Sequence, residues 1–197
     1  VLYLRPDHPM LLSALDLLLS SETGNAAFLV DDVLPPRSAI LESVHVLESV
    51  AARGLNVERF LPPTPITSAI DTRLQPRPEF APGERARHRS GDRVFDLAPM
   101  RKVLATLVPP MLAKAHEQAQ LQAEASIADA GARANALLAH EVERLKALAR
   151  INPAVSPAEI ALLERERDAL LAALPSARIR LDSLRLVVSA DFLSLRR

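Results

Sequence analysis

Cysteine is absent from the 197 residues, which removes disulfides, thiol nucleophiles and thiolate metal sites together. That absence suits a cytoplasmic protein. Tryptophan is missing too, and aromatics make up 3% of the chain, so aliphatic side chains must build the core; at 49% hydrophobic residues there are enough of them. Neither sign of charge predominates. Lys+Arg and Asp+Glu number 24 each, which excludes the basic balance of a chain given over to nucleic acid but not a local basic patch. The five glycines (24, 54, 83, 91 and 131) are scattered, so there is neither a GxGxxG nor a GxxxxGK[ST] phosphate loop. No run approaches the ~18 apolar residues of a membrane span. The richest stretch, "MLLSALDLLLSS", is broken by Asp16 and follows no basic region, so it is not read as a signal peptide. A chain that starts at Val1 and runs directly into "VLYLRPDHP" is expected to be a piece of a longer protein.

What is present divides into two halves. Residues 1–71 read as a helix and a strand meander. In "DHPMLLSALDLLLS", Asp7 caps a helix, Pro9 occupies its first turn, and Met10, Leu11, Ala14, Leu17 and Leu18 share a face. Gly24 and Asn25 stop it. "AAFLVDD" is a short strand. Residues 38–50, "SAILESVHVLESV", alternate strictly and give the best strand in the chain, with Val44 and Val46 expected to be central. "LNVERF" and "ITSAID" follow as third and fourth strands, antiparallel because their connections are short. Between them lies "RFLPPTPI", whose Pro62, Pro63 and Pro65 cannot donate to a ladder. They read as a rigid extended connection that also protects an edge; the alternative is a polyproline ligand for an aromatic groove. Residues 72–97 are rich in Pro and Arg and lose all periodicity. They read as an extended or mobile connection, with a short strand at Arg93–Leu97.

Residues 98–174 are helical. "APMRKVLATLV" is expected to stop at Pro109, and Pro110 to open a second helix that runs from Met111 to about Ile151, roughly 60 Å at 1.5 Å per residue. In "INPAVSPAEI", Ser156 and Glu159 form a capping box with Pro157 at the first helical position. Leu138, Val142, Leu145 and Ala149 on the outgoing helix face Ile160, Leu163, Leu170 and Leu174 on the returning one. Arg167 takes the missing seam position and Pro175 ends the helix. "RIRLDSLRLVVS", within which residues 178–189 read as a closing strand, must find the N-terminal sheet. The prediction is one α+β domain over residues 1–197: an antiparallel or mixed sheet with packed helices and a long, projecting antiparallel helical hairpin whose Ala-rich faces pack on each other or meet a partner.

No catalytic, cofactor-binding or metal-ligating constellation emerges. His116 and His140 each begin an "HE" dipeptide, but a zinc helix needs a second histidine four residues on, where Gln120 and Arg144 stand. His45 lies mid-strand with Glu42 and Glu48 on the opposite face, and reads as a satisfied or edge histidine. Arg85, Arg87, Arg89 and Arg93 stand against one acid, Asp92. They are candidates for contact with nucleic acid or an acidic partner, or else a solvated loop.

"DHPMLLSALDLLLSSETGNAAFL", "LESVHVLESV", "LNVERFLPPTPI", "EVERLKALARINPAVSPAEI" and "RLDSLRLVV" occur in that order. Together they resemble the C-terminal region of the bacterial polymerase-recycling factors, ATPases of the Swi/Snf superfamily. The resemblance covers nearly the whole chain, and "RFLPPTP" and the turn from Leu145 to Ile160 are its most specific parts. It implies a cytoplasmic parent with upstream motor lobes that hydrolyse ATP with Mg and engage nucleic acid, and that bind core RNA polymerase. No motor motif lies in this piece, so the resemblance implies a non-catalytic accessory domain acting through protein contacts or on the motor. A nucleic-acid-binding module built on the Arg-rich loop is the alternative.

Overall fold

The computed structural model describes residues 9–10, 25–31, 34–81 and 97–194. Of the expected N-terminal helix, Pro9 and Met10 are described, and both are helical; the rest of it lies outside the described residues, as do Arg85, Arg87, Arg89 and Arg93.

Four strands form one mixed sheet: β1 (Ala26–Val30), β2 (Ala39–Glu48), β3 (Thr64–Asp71) and β4 (Arg178–Val188), in the order β1-β4-β2-β3. The closing strand does return to the N-terminal sheet. It enters between β1 and β2, parallel to the first and antiparallel to the second. The expected consecutive meander is therefore corrected. β1 and β2 are both bordered by β4, and only β2 and β3 pair as sequence neighbours. A bulge leaves Asp182 of β4 without a register partner on β2, since Val44 faces Ser183 and His45 faces Leu181.

"LNVERF" is not a strand. It folds as two 3-10 turns, Arg53–Leu55 and Val57–Arg59, linked by Asn56 in the left-handed region at φ 49°. The amides of Phe60 and Leu61 both donate to the Val57 carbonyl, at 3.0 and 2.9 Å. The apolar spacing at 55, 57 and 60 serves a compact corner, and Val57, Phe60 and Leu61 are buried in it. Arg133 Nη2 reaches back to the Phe60 carbonyl at 3.2 Å. Pro65 lies inside β3, opposite Val46. Since β3 is an edge of the sheet, this is a position where a missing N–H is tolerated.

Residues 72–81, the described start of the connection after β3, are more ordered than their composition predicts. Asp71 Oδ1 accepts from the amides of Arg73 and Gln75 at 2.8 and 2.9 Å, and Asp71 Oδ2 from Arg77 Nε at 2.9 Å. These bonds hold Leu74 at φ 61°. Burial works to raise the Asp71 pKa, but the bonds from Gln75, Arg77 and Arg73 outweigh it and hold the carboxyl below its ordinary value.

Two helices follow: α1 (Arg101–Ala149) and α2 (Pro157–Ala173). Pro109 and Pro110 do not divide the first, which runs unbroken for 49 residues. Both prolines are exposed, while Leu107, Val108 and Met111 pack towards the sheet. The lost donors thus fall on the solvent side, and tertiary packing holds the two halves in line against local propensity. Below them, Met111, Ala115, Ala119, Ala123, Ala130 and Ala134 are buried along one stripe of α1. Ala119, Ala123, Ala130 and Ala134 share a core cluster with Leu47, Phe60, Leu61 and Ile66; Met111 and Ala115 share another with Leu41, Ile70 and Val188. The alanines therefore rest on the body. This corrects the expectation that they serve only the hairpin or a partner.

On the sheet's other face, Ile40, Ala69 and Val187 form a smaller cluster with Leu34. Beside it Glu42, in register with Arg185, accepts from Arg185 Nε at 2.6 Å. The Glu42 side chain is buried and that of Arg185 is partly exposed. Arg185→Ala is expected to destabilise the domain by about 1.5–3 kcal/mol, the range of a charged hydrogen bond. Urea unfolding at neutral pH measures it, and Arg185→Lys should recover part of the loss.

A projecting arm and a buried histidine pair

Past Leu138 the long helix leaves the sheet and finds α2. The seam follows the predicted spacing. Val142 and Leu170 are buried, while Leu138, Leu145, Ala149, Ile160 and Leu163 are half-buried. Lys146 Nζ bridges the two helices to Glu164 Oε1 at 3.0 Å. At the root, Leu170 and Leu174 join the core cluster, so the arm is anchored where it emerges.

The turn at the tip is closed by its own hydrogen bonds. The amide of Asn152 donates to the Leu148 carbonyl at 2.9 Å, and Asn152 Oδ1 accepts from the Ala154 amide at 3.0 Å. Ser156 Oγ accepts from the Ala158 amide at 3.1 Å and the Ser156 amide donates to Glu159 Oε2 at 3.2 Å, completing the predicted capping box. On this fixed turn Ile151 is 82% exposed, and Leu162 on α2 is exposed as well.

The second feature was not legible from β2 alone. His45 is 1% exposed on the sheet face beneath α1, and its ring centroid lies 5.5 Å from that of His116. The ring planes are tilted by 58°. Nδ1 of His45 is buried without a hydrogen-bond partner. The expectation of a satisfied or edge histidine is corrected in both respects: the strand is internal and the nitrogen is not satisfied. Glu42 and Glu48 do leave the other face, as the strand's parity requires. His116 is exposed, as predicted, but it is also the neighbour of His45. The two residues are 71 positions apart in sequence, so only the tertiary fold brings them together.

Burial first, and the neighbouring His116 second, push the His45 pKa below its ordinary 6.5. The unfolded chain therefore binds a proton that the folded one refuses. The stability this contributes is present above pH 6.5 and is lost as pH falls from there towards the depressed value. Unfolding free energies measured by urea at pH 7.5 and 5.5 should show a decline in wild type that is reduced in His45→Leu. Asp71, whose pKa is lowered, adds its own loss only below its ordinary 3.8.

Among the described residues no three His, Asp or Glu gather as a metal site, and no helix is long and apolar enough to cross a membrane. The fold and its surfaces define an α+β domain whose most prominent feature is a two-helix arm. The family described as "RNA polymerase recycling family C-terminal" matches residues 1–189, and the chain belongs to it. The chain is 38% identical over 192 residues to the RNA polymerase-associated protein RapA of Sodalis glossinidius (strain morsitans), covering 92% of this chain and 19% of that protein. It is 35% identical over 190 residues to the protein of the same name from Actinobacillus succinogenes, covering 95% and 20%. This chain thus spans about a fifth of the length of these relatives.

Proposed function

We propose that this domain is a non-catalytic interaction module of a cytoplasmic, RNA polymerase-associated ATPase, and that the tip of its arm contacts core RNA polymerase. In this reading ATP and Mg2+ belong to motor lobes elsewhere in the parent chain, as does its engagement of nucleic acid. The observation that carries the proposal is Ile151, an aliphatic side chain almost wholly in solvent on a turn whose backbone is tied down. A preformed turn gives up little conformational entropy on docking, and an apolar anchor is what such a contact buries.

The test uses the full-length parent. Residues 141–165 are replaced by a short Gly/Ser linker, which spares Ala134, Leu138, Leu170 and Leu174 at the arm's root. Polymerase binding and multi-round transcription should fall while the ATPase rate holds. In the intact arm, Ile151→Asp should weaken polymerase binding about tenfold or more with an unchanged melting temperature. Normal binding by both variants would refute the contact. A contact between Arg85, Arg87, Arg89 or Arg93 and nucleic acid would instead survive both changes and weaken steeply with salt.

A further inference from the structure

We propose that His45 and His116 form a two-histidine site for a borderline divalent transition metal such as Zn2+, Ni2+ or Co2+, seated where the long helix crosses the central strand. Two imidazoles on one tetrahedral ion, each nitrogen about 2.0–2.1 Å from the metal, hold their ring centroids roughly 5 Å apart. The observed separation is 5.5 Å, with the planes tilted by 58°. The buried Nδ1 of His45 has no partner within the protein, and a buried polar atom left in that state is destabilising unless a ligand takes it. The chain has no cysteine to compete for such an ion. Imidazole is a fitting donor for Zn, Cu and Ni. The exposed side of His116 leaves the ion's remaining positions to water, so the site is open and exchangeable.

The two ligands come from different elements, β2 and α1. Metal binding would therefore clamp the long helix to the sheet, and its signature is stability. The experiment compares thermal unfolding of the domain at pH 7.5 in EDTA with unfolding in graded ZnCl2 or NiCl2. At a hundredfold excess over Kd, Tm should rise by roughly 5–10 °C. His116→Ala, an exposed change that leaves the fold intact, should abolish the rise, while His140→Ala should keep it. Co2+ should give d–d absorption bands in wild type that are absent in His116→Ala. No metal-dependent rise in wild type, or an equal rise in His116→Ala, would overturn the site.

Discussion

Leu47→Asp is expected to leave the domain unable to fold, while Val46→Asp, one residue earlier in the same strand, folds and melts close to wild type. β2 is the internal strand that pairs with both β3 and β4, so its residues from Ile40 to Leu47 have neighbours on two sides. Its two faces nevertheless differ. Leu47 is fully buried beneath α1, in the cluster that holds Ile66, Phe60 and Ala119. A carboxylate there has no partner and no water, and such changes cost about 4–5 kcal/mol or more, against a whole-domain stability of about 5–15. Val46 points the other way and is half-buried. It is in register with Arg180, whose guanidinium already lies 3.7 Å from Glu48 on that face. An aspartate at 46 gains a cation beside it and loses mainly strand propensity, a matter of about 1 kcal/mol. Circular dichroism and urea titration of the purified variants decide it, with Leu47→Ala as the foldable companion, expected to lose about 2–5 kcal/mol. Equal losses at 46 and 47 would mean that the two faces are equally enclosed.

That contrast marks the limit of what the sequence carried. Alternation identified β2 and showed that 46 and 47 lie on opposite faces, but not which face meets the helix. Both sets contain aliphatics, and the helix-facing set includes Ser43 and His45. Ser43 Oγ is satisfied by Ser68 Oγ at 2.8 Å, which is how a polar residue sits in that layer. Signals that act over a few residues were legible. The capping box at Ser156, the seam through Val142 and Leu170, and the end of α2 before Pro175 all stand where local chemistry put them. Two local signals were outweighed by tertiary contacts. Pro109 and Pro110 sit inside an unbroken helix because the packing of Leu107, Val108 and Met111 holds it. "LNVERF" follows its burial into a corner rather than its strand-like composition. The insertion of β4 between β1 and β2, and the meeting of His45 with His116, join distant parts of the chain; no short-range pattern encodes them.

The alanine stripe gives the second large effect. Alanines occur all round the long helix, so hydrophobicity alone does not choose the buried face. The structure chooses Ala115, Ala119, Ala123, Ala130 and Ala134, with Met111 at the head of the stripe. Their spacing of four and seven residues follows the helical repeat. From Met111 to Ala134 the helix covers roughly 35 Å at 1.5 Å per residue, so contact is continuous across the sheet. A methyl group at each contact lets the helix lie closer than leucine would allow, and the large residues of the interface come from the sheet: Leu41, Leu47, Ile66 and Ile70. Ala119→Leu is therefore expected to be destabilising although leucine is nearly as good a helix former as alanine. The added carbons have no room, so either the rotamers strain or the helix lifts and opens the seam along its length. Overpacking of this kind costs about 1–3 kcal/mol, and Tm should fall by roughly 2–12 °C. Ala136→Leu, on an exposed position of the same helix, should leave Tm within a degree or two. Combining Ala119→Leu with Leu47→Ala should restore part of the loss relative to the sum of the single changes, since both residues belong to one cluster. Should Ala119→Leu melt with wild type, the helix would not be resting on its alanines, and the close sheet–helix contact that brings His116 over His45 would fall with it.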